Sequence, residues 1–172
     1  MIRIAVALSS AIALLAILLG HHIRPRTEPV EPETVWAYIA ETAPQSGIDA
    51  EFVYALAWAE SSLNAKARSS VARGIMQVTR GAWEQVSDES YREAWEWKTN
   101  IRVAVDYLAF CKDYLQENGH FSYPLLAASY RYGPYYVSDK GFDVNRMRKP
   151  SNSIYRQIFQ GNSRPVSPPY PD

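Results

Sequence analysis

The sequence predicts a mainly α domain, and three observations support this fold class. Apolar residues recur at helical spacing over 100–115, which is the pattern of a helix with one face in a core. The stretch 51–60 is rich in alanine and follows Asp49, a residue type that caps helices. With 172 residues, 47% of them hydrophobic, the chain is long enough for one domain with a substantial core.

The predicted helices follow one another along the chain. Thr34 is the predicted cap of a first helix that runs to about Thr42. Residues 67–78 contain glycine and β-branched residues without a helical period, so they predict a turn or a small hairpin at most. Further helices are predicted at 51–60, 80–86, 100–115, 123–132 and 151–159. The residues Trp83, Trp95, Trp97 and Cys111 are expected in the core.

Residues 1–20 form a separate segment. Arg3 precedes an apolar run at 4–19 that two serines interrupt, a pattern typical of an export signal. As a helix, the run to Gly20 would be about 26 Å long, which is marginal for a hydrocarbon core of about 30 Å. No small-residue cleavage site ends the run. A retained membrane anchor is therefore favoured over a cleaved signal peptide, and both remain open.

Proline marks the two ends of the predicted domain. Residues 21–33 hold three prolines among charged residues and are expected to form a stiff linker. Residues 162–172 hold four more prolines and are expected to form a disordered tail. Between them, residues 34–161 contain neither an internal repeat nor a low-complexity tract, so the sequence predicts one domain there.

Charge and composition exclude several classes of partner and site. The chain has 18 basic and 18 acidic side chains, whereas a general nucleic-acid binder needs a basic balance or face. One cysteine excludes an intrachain disulfide framework and a multi-cysteine zinc site. The three histidines are too scattered for a three-histidine metal centre. No nucleic acid, metal or cofactor is therefore expected.

Glu60 is the strongest candidate for a catalytic residue. It follows an apolar run at 52–59 and shares a helical face with Leu56 and Ala57. Burial disfavours the charged form of a carboxyl group and raises its pKa. An acid that stays protonated near neutral pH is what a glycosidase needs as its general acid. The alternative is an ordinary helix-terminal glutamate that reaches solvent.

The segment that begins at Glu60 resembles the signature of the lysozyme-like lytic transglycosylases, the soluble lytic transglycosylase family. In that family a Glu-Ser pair is followed at fixed offsets by Asn, Ala and Ser, and then by Ala-x-Gly-Leu-Met-Gln. The matching residues here are Glu60, Ser61, Asn64, Ala67, Ser69, Ala72, Gly74, Met76 and Gln77.

Three further motifs resemble the family in the same order along the chain. Asn100-Ile101 with Tyr107-Leu108 resembles Asn-Ile-x-x-Gly-x-x-Tyr-Leu, Ala128–Gly133 resembles Ala-x-Tyr-Asn-x-Gly, and Ser153-Ile-Tyr155 resembles Thr-x-x-Tyr. Together the motifs span most of 34–161. The resemblance implies a single lysozyme-like catalytic domain of the goose type, with a small loop or hairpin lining its cleft.

The resemblance also implies the residues of a site. Glu60 is carried over as the catalytic residue, and Tyr130 as a residue whose hydroxyl reaches it. The substrate-binding residues that the resemblance implies are Ser61, Ser69, Met76, Gln77, Tyr130 and Arg131. Without the motifs, a Met-Gln pair or a helical tyrosine is more often core packing, and a serine after a helix is more often a local cap.

Arg131 and Tyr132 are the main departures from the family pattern. Arg131 stands where the family usually has asparagine, and Tyr132 stands where a small residue is common. The stretch between Ser69 and Gly74 is also shorter than the family pattern, and Ala104 replaces a glycine. The resemblance places Arg131 and Tyr132 beside the substrate groove. An altered substrate preference or a loss of activity therefore stays open.

The sequence after Glu60 contains no acidic residue before Glu84. Most glycosidases pair two carboxyl groups, so a site with one carboxylate is the simpler interpretation, with Asp88 and Asp143 as distant alternatives. The resemblance implies that Glu60 protonates the bond between N-acetylmuramic acid and N-acetylglucosamine. It then takes a proton from the muramoyl C6 hydroxyl, which gives a 1,6-anhydro end.

Two classes of function follow from the sequence. The first is a peptidoglycan lytic transglycosylase of the bacterial cell envelope, periplasmic, exported or anchored, that acts on glycan strands. A hydrolytic lysozyme of the same fold is a variant of this class. The second is a non-catalytic peptidoglycan-binding or scaffold module of an envelope machine. An inner-membrane tether and a partner within such a machine are the further contacts that the sequence suggests.

Overall fold

A computed structural model describes residues 27–170 of the chain. Within them the prediction of a mainly α fold is confirmed, and the α-helices are joined by one short hairpin and three 3-10 helices. The α-helices are α1 (Pro32–Thr42), α2 (Ala50–Ser61), α3 (Arg80–Val86), α4 (Trp97–Glu117), α5 (Tyr123–Tyr132), α6 (Pro134–Asp139) and α7 (Ser153–Phe159). The 3-10 helices are Ala43–Ser46, Tyr91–Trp95 and Val144–Arg146.

The predicted helices are present, with differences at their ends. Helices α3 and α5 have the predicted bounds. Helix α1 begins at Pro32, so Thr34 lies inside the helix and does not cap it. Proline suits the first turn because it lacks the N–H that would have no partner within the helix there. Helix α7 begins at Ser153, where the Asn152 side chain accepts hydrogen bonds from two backbone N–H groups. Helix α6 was not predicted.

Helix α2 lies in the middle of the domain. The Asp49 carboxylate accepts a 3.0 Å hydrogen bond from the Phe52 N–H and so caps the helix as predicted. Every residue from Phe52 to Ala57 is buried, because α2 packs against α1 on one side and α7 on another. A helix that is apolar on all sides needs such a position. Its C-terminal end therefore emerges from the core at Glu60.

The predicted small hairpin forms after α2. Strands β1 (Ala72–Arg73) and β2 (Val78–Thr79) pair antiparallel, with Ala72 opposite Thr79 and Arg73 opposite Val78. Gly74 lies in the connecting turn at φ +80°, where a Cβ atom would overlap the Ala94 carbonyl oxygen. Only glycine fits this close approach.

Both ends of the described chain pack against the domain. On the N-terminal side, Val30 N–H donates to the Leu63 carbonyl (3.0 Å), and Ala65 N–H donates to the Glu28 carbonyl (2.9 Å). On the C-terminal side, Arg164 forms ion pairs with Asp49 and Glu51 at the start of α2. The tail that proline content predicts to be disordered thus makes specific contacts in its described part.

The predicted export segment at 1–20 lies outside the described residues. Within 27–170, no helix combines the length and the apolar character that crossing a bilayer requires.

Candidate active site

Glu60 lies in the last turn of α2, where the buried helix meets a cavity. Its side chain is 14% exposed. Burial raises the pKa of this carboxyl group above its ordinary value of 4.5, because the charged form loses hydration. The structure therefore places the Glu60 carboxyl group in the mostly buried environment that the apolar face of α2 predicted.

Two side chains from other helices face one oxygen of Glu60. The Tyr155 hydroxyl, on α7, donates a hydrogen bond to Oε1. The Arg131 guanidinium, at the end of α5, brings Nη1 to 3.8 Å from the same oxygen. Both contacts lower the pKa of Glu60, yet burial has the larger effect and the pKa stays raised.

The position of Tyr155 corrects the sequence-based expectation for Tyr130. The Tyr130 hydroxyl donates to the Met76 carbonyl at 2.8 Å, and the hydroxyl that donates to Glu60 belongs to Tyr155. Tyr155 is fully buried. Asn152 sets its place, because the Asn152 side chain caps α7 and also donates to the Ala59 carbonyl beside Glu60 (3.1 Å). The Ser-x-Tyr motif alone gave no indication of this contact.

Two cavities meet at Gln77 in this region. The larger has a volume of about 1080 Å³ and is lined by Glu60, Ser61 and Gln77, together with Lys66, Trp95 and others. The smaller, about 210 Å³, is lined by Gln77 and by the α5 residues Tyr130, Arg131 and Tyr132. Trp95 was expected in the core, but it is half-buried and lies on the wall of the larger cavity. Trp83 and Cys111 are buried as expected.

The remaining predicted binding residues take different places. Ser61 lines the larger cavity, but its hydroxyl donates to the Ile75 carbonyl (2.6 Å) and accepts from Asn64 N–H (3.1 Å). Met76 is fully buried. Ser69 is exposed, and its hydroxyl accepts from Val71 and Ala72 N–H groups within its own turn. The contacts of Ser69 are thus those of a local cap, whereas Ser61 also joins the end of α2 to the turn between β1 and β2.

The family model of the transglycosylase SLT domain matches residues 37–152. The chain belongs to this family. The matched region includes α2, the hairpin, and helices α4 and α5.

A solved structure shares the fold of this SLT domain. The X-ray structure of an inactive Glu-to-Gln mutant of lytic transglycosylase Slt from Pseudomonas aeruginosa matches with a TM-score of 0.54 and 23% sequence identity. The match covers 74% of this chain and 21% of that chain. This SLT domain therefore spans a small part of that protein's length, and the likeness shows the fold. No curated protein sequence matches the chain.

The side chain of Asn100 holds the β1–β2 hairpin of this SLT domain in place. It is fully buried on α4. Its amide oxygen accepts from Met76 N–H (2.8 Å), and its amide nitrogen donates to the Arg73 and Ala94 carbonyls (3.1 Å each). All three partners are backbone groups, so one side chain holds both the hairpin turn and the 3-10 helix Tyr91–Trp95. The sequence motif contained Asn100, but its role needed the fold.

Gln77 lies at the junction of the two cavities in an uncommon conformation. Its φ of +49° is in the left-handed region, and its side-chain amide donates to the Gly74 carbonyl at 3.0 Å. Ser62 and Leu63, directly after the end of α2, are also left-handed. Such residues are often found at functional sites, where surrounding contacts hold them.

Glu60 is the only carboxylate on the walls of these two cavities within residues 27–170. Asp143, a distant candidate from the sequence, caps the 3-10 helix Val144–Arg146 by accepting from Asn145 N–H (2.9 Å). Asp88 is exposed beyond the end of α3. The described residues also contain no cluster of histidine, cysteine and acidic side chains suited to a metal ion.

Proposed function

We propose that this SLT domain is a peptidoglycan lytic transglycosylase in which Glu60 acts alone as acid and base. The observation that supports this most directly is the mostly buried Glu60, whose raised pKa suits a proton donor and which faces a cavity of about 1080 Å³. Family membership supports the same class of chemistry.

In the first step, Glu60 donates its proton to the glycosidic oxygen between N-acetylmuramic acid and N-acetylglucosamine. The bond from that oxygen to C1 breaks. The carbonyl oxygen of the substrate's own N-acetyl group stabilises the positive charge that develops at C1. A protein carboxylate would otherwise have this task, and the walls of the two cavities offer only Glu60 within residues 27–170.

In the second step, the Glu60 carboxylate removes the proton of the muramoyl C6 hydroxyl. The C6 oxygen attacks C1 and closes the 1,6-anhydro ring, and Glu60 is protonated again. No water is consumed. One group can serve both steps if its pKa lies near the working pH, and burial moves the pKa of Glu60 in that direction.

The two oxygens of Glu60 have different roles in this proposal. Tyr155 and Arg131 both face Oε1, so Oε2 is the oxygen that carries the proton to the substrate. The negative charge that remains after donation is stabilised at Oε1 by a hydroxyl and a guanidinium group, since both favour the ionised form.

The proposal extends to place and partners. Peptidoglycan lies in the bacterial envelope, so we expect the domain to act in the periplasm, exported or tethered through its N-terminal apolar segment. Ser61 and Gln77 line the larger cavity and are the binding residues that we expect to contact glycan.

The test is mass spectrometry of soluble products after the purified full-length protein, kept in mild detergent, digests peptidoglycan sacculi. Muropeptides with 1,6-anhydro ends, one water lighter than hydrolytic products, are the expected result. Reducing ends would contradict the single-carboxylate mechanism and indicate a lysozyme. Sacculi that are bound and left uncut would indicate a non-catalytic binding or scaffold module.

The matched control is Glu60→Gln, which keeps the size of the side chain and removes the proton donor. General acid catalysis contributes about 10²–10⁴-fold to rate. We therefore expect the release of anhydro products to fall at least about 100-fold, with binding to sacculi retained. Equal product release by the variant and the natural protein would exclude Glu60 as the acid.

A further inference from the structure

Arg131 contacts the catalytic centre in a way that the family pattern does not lead one to expect. The residue stands at the end of α5 where the family motif usually has asparagine. Its Nη1 atom lies 3.8 Å from Oε1 of Glu60, and its side chain is 29% exposed. The sequence placed it among substrate-binding residues, but the nearest anion within the described residues is the acid itself.

The Arg131 side chain is held against α7. Its Cζ atom lies 4.6 Å from the centre of the Tyr155 ring and 5.7 Å from that of Tyr132, which are distances of cation–π contact. Tyr155 in turn donates to Glu60 Oε1. Arg131, Tyr155 and Glu60 thus form one contiguous cluster.

We propose that Arg131 is a positioning residue that, with Tyr155, holds Oε1 of Glu60 and sets the pH range over which Glu60 can donate a proton. The inference rests on the proposed function of Glu60. An opposite charge within 4–6 Å favours the ionised carboxylate. Arg131 therefore favours transfer of the Glu60 proton to the substrate. It also lowers the pH above which Glu60 is no longer protonated.

Other charged or titratable groups face Glu60 from the surrounding elements. Tyr155 approaches from α7 and Tyr130 from α5. Lys66 and Arg68 lie on the wall of the shared cavity, in the loop after α2. Lys66 is paired with Glu28 at 3.7 Å.

Among these groups, Arg131 is the cation at ion-pair distance from Glu60 within residues 27–170. Substitution of Arg131 therefore isolates the effect of this one charge on the Glu60 carboxyl group.

The direct test is a ¹³C NMR titration of the Glu60 side-chain carboxyl in the full-length protein, the Arg131→Asn variant and the Arg131→Lys variant. Arg131→Asn restores the residue of the family pattern and is expected to raise the titration midpoint of Glu60 by about one pH unit. Arg131→Lys keeps the charge and is expected to bring the midpoint back towards that of the natural protein.

Arg92→Asn is the matched control, because Arg92 is an exposed arginine of the 3-10 helix Tyr91–Trp95. This variant removes the same charge and is expected to leave the Glu60 midpoint unchanged. A Glu60 midpoint in Arg131→Asn equal to that of the natural protein would overturn the proposal. The titration needs no substrate, so its outcome is independent of whether the domain cleaves peptidoglycan.

The pH dependence of kcat/KM for release of anhydro products gives the second readout. In Arg131→Asn, the limb on which activity falls with rising pH is expected to move to higher pH together with the NMR midpoint. A raised KM with that limb unmoved would overturn the positioning role and indicate that Arg131 binds substrate. Absence of activity in the natural protein alongside a shifted NMR midpoint would contradict the proposed function alone.

Discussion

At the scale of single residues, Glu60 is subject to opposing effects. Burial raises its pKa, whereas the hydrogen bond from Tyr155 and the charge of Arg131 lower it. Burial has the larger effect, so the ionised carboxylate is less stable in the folded domain than in the unfolded chain. A group of this kind makes folding depend on pH.

The substitution Glu60→Gln is expected to make the domain more resistant to heat as pH rises. Below about pH 4.5, Glu60 is protonated in both folded and unfolded states, and its contribution to stability is fully present. As pH rises through the raised pKa, the natural protein loses that contribution, but glutamine has no proton to lose. The midpoints of thermal unfolding of the two proteins, measured from pH 4 to pH 8, should therefore separate in favour of the variant as pH rises.

Glu84→Gln is the control for this measurement. Glu84 is exposed and pairs with Arg80 one helical turn away. Its substitution should give a difference that changes little over the same pH range. A Glu60→Gln difference that is equally constant would contradict the effect of burial on Glu60.

At the scale of elements, the hairpin depends on a side chain from another helix. Strands β1 and β2 are two residues long each, which is too short for an isolated hairpin to be stable. Asn100 supplies hydrogen bonds to the backbone at Arg73 and Met76. The hairpin is therefore held by α4 as much as by its own pairing.

Asn100→Ala is expected to lower the free energy of unfolding by at least about 3 kcal/mol, because each of three buried polar groups left without a partner costs about 1–3 kcal/mol. The groups left are Met76 N–H and the carbonyls of Arg73 and Ala94. Urea unfolding followed by circular dichroism measures this change. The control is Asn118→Ala, which removes one exposed hydrogen bond to the Tyr114 carbonyl. Similar losses for both variants would exclude Asn100 as an anchor of the hairpin.

At the scale of the whole molecule, both ends of the described residues pack against the domain near α2 or the loop that follows it. Residues 28–30 pair with the loop after Glu60, and Thr27 lines the larger cavity. At the opposite end of α2, the Tyr170 hydroxyl donates to the Glu51 carboxylate at 3.3 Å. The Tyr170 ring also contacts Trp36 of α1, with ring centres 6.1 Å apart, and Pro168 is buried. The described parts of the proline-rich segments, 27–33 and 162–170, are thus part of the domain's packing.

Removal of residues 1–31 is expected to loosen the loop after Glu60, whereas removal of residues 1–26 leaves it intact. The longer deletion eliminates the hydrogen bonds from Val30 to Leu63 and from Ala65 to Glu28. Because exposed amides exchange faster once such bonds are lost, hydrogen exchange by mass spectrometry should show faster exchange around Ala65 only in the longer deletion. Equal exchange in both proteins would contradict a role for residues 28–30.

Removal of residues 162–172 is expected to lower the midpoint of thermal unfolding. It eliminates the ion pairs of Arg164 with Asp49 and Glu51 and uncovers the core residues against which Val166 packs. The control is a chain that ends at Tyr170. If the two shortened proteins melt alike, the tail contributes nothing to stability and the disorder predicted from its prolines is the better description.

Much of the fold was predictable because it depends on local pattern. The bounds of α3 and α5, the cap at Asp49 and the hairpin at 67–78 follow from neighbouring residues. The short helix α6 and the 3-10 helices were missed, since segments of this length have too few residues to display a period. The cavity position of Trp95 was missed because a sequence does not indicate which face of a tryptophan ring packs against protein and which faces a cavity.

The sequence by itself determined the helical class and the motifs of the SLT family, and it made Glu60 the candidate acid. The tertiary structure decided that Glu60 is mostly buried and does not reach freely into solvent. Only the tertiary structure decided which hydroxyl reaches Glu60. Tyr130 and Tyr155 are both tyrosines on helices that pack against each other, and their rotation and depth follow from that packing. It also decided that Arg131 faces the acid. Such contacts join residues far apart in the chain, so their distances are fixed by how helices pack and not by spacing along the sequence.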